Sequence, residues 1–336
     1  MNRRNYLQTL SALFAVSAFG GCTSAGKQKD ASNSETDIAG PALAGEAFDV
    51  PAVSEESKNF YLVSDLGRNG YYEQKTIAEL MGNLAEKIDI EFIVAAGDTH
   101  HFEGVASVDD PLWMTNYELV YSHPELMLEW FAVNGNHEYR GNTQAVLDYG
   151  KKSRRWIVPS RYYSKVVEGE NEKALLVFID TSPLIDKYRE DTEKYPDAGR
   201  QNMEEQLQWI EKTLASSAEK WKIVIGHHPV YADTPKEESE RADMRKRLEP
   251  LLDRYGVDMY FCGHIHNFQH IQPADSKVDY LVNTSGSLSR KVKTVEGTKF
   301  CNPEAGFTVV SMEDSKLSFY LMNGKGKILY EYSRTR

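Results

Sequence analysis

Apolar and polar positions alternate in a regular rhythm from residue 59 onward. Asn59-Phe60-Tyr61-Leu62-Val63 is a short apolar run of the kind a buried strand needs. Ile77, Leu80, Met81, Leu84 and Ile88 follow at a three-and-four spacing that gives a helix one apolar face, and Glu91-Phe92-Ile93-Val94-Ala95 returns to strand character. That is a βαβ unit. The rhythm continues with strands at Trp130 to Val133, Ala174 to Ile179, Lys222 to Ile225 and Val257 to Cys262. Between them, Met203, Leu207, Ile210 and Leu214 mark one helix face, and Leu248, Leu251 and Leu252 mark another. Beyond residue 265 the helical spacing stops. Tyr280-Leu281-Val282, Phe307 to Ser311, Leu317 to Leu321 and Ile328 to Tyr332 predict successive antiparallel strands, with Asn323-Gly324 as a hairpin signal. No internal repeat or second linker interrupts the pattern, so residues 58–336 read as one α/β domain.

The first residues follow a different plan. Met1 to Cys22 opens with Arg3 and Arg4, runs through an apolar stretch from Leu10 to Phe19 and closes on Gly20-Gly21-Cys22. A basic head, an apolar middle and small residues at the cut make a secretory signal over residues 1–21. A cysteine directly after two small residues resembles a bacterial lipobox, in which Cys22 becomes the lipidated first residue of the mature chain; ordinary cleavage nearby is the alternative. Asn2-Arg3-Arg4-Asn5-Tyr6-Leu7 also resembles a twin-arginine export signal. Residues 22–57, rich in Ser, Ala, Gly, Lys and Glu, read as a flexible tether. The expectation is an exported protein, periplasmic or on the cell surface, held to a bacterial membrane through Cys22.

Composition narrows the partners. The chain has 336 residues, 41% of them hydrophobic and 26% charged, which excludes collagen-like, low-complexity and wholly disordered architectures. Its 39 Lys+Arg against 50 Asp+Glu give a net charge of −11, which argues against nucleic acid as a partner and makes cations the more natural guests. Three cysteines build no disulfide scaffold. Outside the cytoplasm Cys262 and Cys301 are open to pairing, and a buried free Cys262 is the alternative. The oligomeric state is not written in the sequence.

The polar residues that interrupt the pattern sit where strands end. Ser64-Asp65-Leu66-Gly67, Gly97-Asp98-Thr99-His100-His101, Asn134-Gly135-Asn136-His137-Glu138, Gly226-His227-His228-Pro229 and Gly263-His264-Ile265-His266 each follow an apolar run. In α/β sheets the loops beyond the carboxyl ends of the strands gather at one edge, where ligands bind. Seven of the nine histidines fall in these clusters, whereas scattered surface histidines would spread over the chain. Asp, Asn and His together form an oxygen and nitrogen donor set suited to Zn, Mn or Fe, without the thiolates of a structural zinc site.

In this order and spacing the clusters resemble the motifs of the calcineurin-like metallophosphoesterases. Asp65 followed by Gly67 in the first motif is similar to the purple acid phosphatase branch. Phe102-Glu103-Gly104-Val105, Lys152 to Tyr163, and Tyr260 to Gln269 resemble its small, tartrate-resistant type. The resemblance implies a four-layer αββα sandwich with two mixed central sheets, and two metal ions. It assigns Asp65, Asp98 and His266 to the first ion and Asn136, His227 and His264 to the second, with Asp98 bridging. His137 faces the substrate as the catalytic group. Where purple members carry a metal-binding tyrosine, this chain has His101. Imidazole is neutral and phenolate is a hard anion, so His101 is expected to ligate the first ion, with iron, zinc or manganese accepted and no purple Fe(III)-tyrosinate centre. His100 and His228 replace aromatic residues of the relatives and are expected to line the substrate pocket.

The expected reaction is hydrolysis of a small phosphate monoester by in-line attack of a hydroxide generated at the metal pair. A phosphodiesterase or nucleotide hydrolase on the same centre, and a non-catalytic surface binding protein that keeps the fold, are the alternatives.

Overall fold

Fourteen strands form two mixed sheets of seven. The computed structural model describes residues 47–336; the signal segment, Cys22 and the start of the tether lie outside the described residues. The first sheet has the order β14-β13-β12-β1-β2-β3-β4. Here β1 is Lys58–Val63, β2 Phe92–Ala95, β3 Glu129–Ala132 and β4 Trp156–Ile157, and these four run parallel. The strands β12 (Gly306–Met312), β13 (Lys316–Asn323) and β14 (Ile328–Thr335) extend the sheet antiparallel from β1.

The second sheet repeats the design with the order β11-β9-β10-β8-β7-β6-β5. Its parallel strands are β6 (Lys173–Phe178), β7 (Trp221–Ile225), β8 (Met259–Cys262) and β10 (Asp279–Val282). Antiparallel edges are added by β5 (Tyr163–Glu168), β9 (Phe268–Ile271) and β11 (Thr298–Asn302). Tyr280 to Val282 is therefore not part of an antiparallel run with the C-terminal strands. It pairs parallel with β8, and the three last strands return to β1 in the other sheet. Strand-like composition reads alike in both settings, so partner and direction were not legible locally.

The sheets pack face to face. Phe60 stacks on Phe92 at 4.8 Å, Phe92 meets Phe131 at 5.5 Å, and Phe131 reaches Phe178 of the second sheet at 5.9 Å. One apolar cluster joins residues of both sheets with helix α1 (Gln74–Ala85), whose Ile77, Leu80, Met81 and Leu84 are buried as their spacing predicts. A second cluster joins the far face of the second sheet to helices α3 (Asp186–Glu190), α4 (Met203–Ser216), α5 (Glu238–Arg247) and α6 (Glu249–Arg254). A short α2 (Thr143–Asp148) precedes β4. The helix–sheet–sheet–helix layering follows from each sheet having two apolar faces to cover. Asn202 caps α4 by accepting the Glu205 N–H, and Glu204 and Glu205 place negative charge at its positive end.

The expected tether ends earlier than residue 57. Asp49 N–H donates to Gly326 O at 2.7 Å, Tyr320 Oη–H donates to Ala52 O at 3.0 Å, and Phe48 and Val53 pack on the core. Their apolar side chains give this stretch something to bury. Cys262 and Cys301 are both free thiols, the first buried. Among the described residues no helix is long and apolar enough to cross a membrane.

Candidate metal centre

The turns that end β1, β2, β3, β7 and β8 meet at one edge, where the carboxyl ends of parallel strands from both sheets converge. A bridge between Ser64 and Ser285 ties the two sheets there. Four residues of these turns adopt left-handed backbone: Asp65 (φ 50°), Asp98 (φ 52°), His264 (φ 72°) and His266 (φ 65°). That conformation costs roughly 1–3 kcal/mol at a non-glycine residue and persists only where surroundings enforce it. Asp65 is held by its N–H donating to Gly97 O and by its Oδ2 accepting the His264 N–H at 2.8 Å. Asp98 is held by Glu138, whose Oε2 accepts its N–H at 2.9 Å. Gly135 lets the third turn press against Asp98, because a Cβ there would collide with Asp98 Oδ1.

The side chains so placed form overlapping donor sets. Asp65, His101 and His266 bring ligand atoms within 4.8 Å of one another, and so do Asp65, Asp98 and His227. The same holds for Asp98, His101 and His137, and for His227, His228 and His264. Asp98 Oδ2 lies 3.1 Å from His227 Nε2 and 3.6 Å from His101 Nε2, so one carboxylate is common to both sides. His266 Nε2 lies 3.1 Å from Asp65 Oδ1, and His264 Nδ1 lies 3.2 Å from His227 Nε2. His227 Nδ1–H donates to Ala96 O at 2.8 Å, which fixes the tautomer and aims Nε2 inward.

These residues fit metal ions. Both ring nitrogens of His101 and Oδ1 of Asn136 are buried without a hydrogen-bond partner among the described residues. Buried polar atoms left without a partner are costly, and a cation bound among them would satisfy the acceptors. Electrostatics agrees. Burial opposes ionisation of Asp98, yet His227, His137 and His101 around it hold its carboxyl well below the usual range. Burial would lower His227, but the Asp98 carboxylate lifts it to about 9. Two buried carboxylates demand positive charge, and a proton on His227 supplies it when no cation does.

The family model for calcineurin-like phosphoesterases matches residues 58–268. The chain belongs to the calcineurin-like phosphoesterases. It is 31% identical over 298 residues to purple acid phosphatase 3 of Arabidopsis thaliana, covering 85% of this chain and 80% of the relative. With tartrate-resistant acid phosphatase type 5 of Rattus norvegicus it shares 31% identity over 261 residues, 73% and 79% of the two chains. Among solved structures, GAP50, described as the anchor in the inner membrane complex of Plasmodium, superposes with a TM-score of 0.72 at 23% identity, over 83% of this chain and 89% of that one. A purple acid phosphatase from yellow lupin superposes at 0.61 and 16% identity, over 83% and 54%. At those identities the likeness speaks to the fold alone.

This calcineurin-like phosphoesterase is thus a metal-dependent phosphoester hydrolase of purple acid phosphatase type, a class built around a dinuclear centre. Its centre opens on a cleft of about 500 Å³ lined by Asn136, His137 and His264. His137 Nδ1–H donates to Phe102 O at 2.6 Å, leaving Nε2 on the cleft side, 3.8 Å from Asp98 Oδ2. Burial lowers the pKa of this imidazole, with Asp98 opposing.

The structure corrects the expectation for His100 and His228, since neither lines the cleft. His100 turns into the core, edge-on to Trp113 at 4.3 Å, with Nδ1 3.1 Å from Asn116 Nδ2. His228 is buried behind His264, its Nδ1 2.8 Å from Thr181 Oγ1 and its ring 4.8 Å from Tyr188. Residues that sequence reasoning passed over hold the turns. Glu138 accepts N–H groups of Asp98, Gly135 and His100, and Thr181 Oγ1 accepts those of His227 and His228. Glu138 closes the third motif, so proximity to Asn136 was its one available signal.

Proposed function

We propose that this phosphoesterase hydrolyses phosphate monoesters outside the cytoplasm. Asp65, Asp98, His101 and His266 hold one ion; Asp98, Asn136, His227 and His264 hold the other. The observation that carries this reading is the single carboxylate, Asp98, shared by donor groups on both sides of it. When bound, the two ions supply Lewis acidity and a water whose pKa is lowered toward about 7. The chain's own residues orient the ester and move the proton. His137, anchored through Nδ1–H, donates from Nε2 in its imidazolium form to the leaving oxygen and is left as the neutral ring, a role worth roughly 10²–10⁴-fold. Arg68, Arg140 and Lys236 line the same cleft and suit the dianion of a monoester better than the single charge of a diester.

His101 in place of a phenolate leaves iron without its charge-transfer partner, so iron-loaded protein is expected to be colourless in the purple region, and zinc or manganese to substitute readily. A strong visible band would overturn that assignment. The Arg3-Arg4 head and Cys22 support the reading of export; Cys22→Ser is expected to move the protein from the membrane to the soluble fraction. The activity itself is tested on a panel of monoester, diester and nucleotide substrates with iron, zinc and manganese in turn. Monoester turnover is the expected result. Preferential diester turnover, or inactivity of metal-replete protein across the panel, overturns the proposal.

A further inference from the structure

One aspartate of the metal centre is gripped by the sheet it does not belong to. The segment after β10, Asn283 to Leu288, packs against the turn that ends β1. Gly286 permits the approach, because a Cβ there would lie 2.7 Å from Val63 Cγ2, and its N–H donates to Ser64 O at 2.8 Å. Ser285 Oγ accepts the N–H groups of Ser287 and Leu288, both at 3.1 Å. With both lone pairs so used, this hydroxyl has only its proton left to place. Asp65 O lies 2.8 Å away to take it. Ser287 Oγ lies 2.9 Å from Ser285 Oγ, which has no lone pair free, and 2.9 Å from Asp65 O, so its proton goes to the same carbonyl. Asp65, Ser285 and Ser287 are all fully buried, which shields these bonds from bulk solvent.

Asp65 is thereby fixed at three points. Its N–H donates to Gly97 O at 3.0 Å, its carbonyl accepts the two hydroxyls, and its Oδ2 accepts the His264 N–H at 2.8 Å. Oδ1 has no hydrogen bond among the described residues and lies 3.1 Å from His266 Nε2. The left-handed backbone of Asp65 (φ 50°) sets the direction of this side chain, and a non-glycine residue keeps such a conformation only where its surroundings hold it.

We propose that Ser285 and Ser287 are positioning residues for the ion held by Asp65, Asp98, His101 and His266: their paired hydroxyls keep Asp65 left-handed and its Oδ1 aimed at that ion. This rests on the ligand assignment above and adds what sets the strength of one half of it. His101 is a neutral donor and Asp98 is shared, so Asp65 is the one carboxylate that this ion has to itself. Releasing its carbonyl lets the backbone relax toward negative φ and turns Oδ1 away. Asn136, His227 and His264, on the other ion, make no hydrogen bond to either serine among the described residues.

The test titrates zinc into the metal-free, full-length protein and follows the heat of binding. Two events are expected in the wild type, and Asp65→Asn marks the first ion's event as the one it removes. Ser287→Ala is expected to weaken that event about ten-fold and to leave the other unchanged. Ser285→Ala takes away the other donor and is expected to act alike; should its turn fail to fold, Ser287→Ala decides, since Ser285 still holds the carbonyl there. Ser318→Ala serves as control. It removes a buried hydroxyl paired with Ser333 Oγ at 2.9 Å between β13 and β14, and it should lower the melting temperature without moving either affinity. The same profile in Ser287→Ala, or equal weakening of both events, overturns the positioning role and leaves the ligand assignment standing. Fewer than two events in the wild type overturns the two-ion assignment itself, and the positioning role with it.

Discussion

Residue by residue, the donor groups that the turns bring together were legible, because Asp, Asn and His recur after the strands and metal donors are drawn from that set. The groups that aim them were not, since any side chain of the right reach can accept an N–H. Glu138 is the clearest case. Its two oxygens take three backbone N–H groups, from Asp98 at 2.9 Å, Gly135 at 2.7 Å and His100 at 3.0 Å. Glu138→Gln keeps the shape but sets an amide NH₂ against N–H donors, an unmet buried pair that costs about 1–3 kcal/mol. Urea unfolding of the metal-free protein should show that loss, and elemental analysis should show fewer than two metal equivalents. His137→Ala has a different signature. It should leave the metals in place and cost roughly 10²–10⁴-fold on alkyl phosphates, with a much smaller loss on p-nitrophenyl phosphate, whose leaving group needs no proton. Equal losses on both would remove the proton-donating role.

At the scale of elements, the buried central strands and the amphipathic helices α1 and α4 were readable from apolar spacing. The short or edge strands β4, β5, β9 and β11 were not, having too few residues or too mixed a pattern to stand out. Helix α5 escaped for another reason: its sequence ESERADMRKR has Met244 as its large apolar buried residue, and the helix is supported by ion pairs such as Arg241 to Glu238 at 2.5 Å. The end of β6 carries a testable titration. Asp180 is buried there, accepting the Tyr139 Oη–H at 2.5 Å, and burial raises its pKa from 3.8 to about 6 despite Arg161 nearby. The folded state therefore binds this proton more tightly than the unfolded chain. Its contribution is full below about pH 4 and is lost as pH rises through about 6. Relative to Asp180→Asn, the wild type should lose on the order of 1–3 kcal/mol of unfolding free energy between pH 4 and pH 7. A pH-independent difference between the two proteins would refute the assignment.

For the whole molecule, net charge was a poor guide to the site. A surplus of acids over the chain pointed to cations as guests, yet the cleft beside the two carboxylates is lined by six bases against three acids, a local reversal that only the assembled loops reveal. The loops at 181–200 and 232–240, which supply Lys187, Lys194 and Lys236 to the cleft, carry no motif, so their part in it was hidden. Ion binding should also be felt globally. Metal that binds only the folded state adds about 4 kcal/mol when its concentration is a thousand times its Kd, so a chelator should lower the melting temperature, and graded zinc should restore it. Asp65, Asp98 and Asn136 stand on the first sheet, whereas His227, His264 and His266 stand on the second. A cation pair bound there would clasp two halves that also meet through apolar contact and the hydrogen bonds around Asp65. Stripping it should make amide protons at the clasped rim of both halves exchange with solvent sooner and in step, while those at the opposite rim keep their pace.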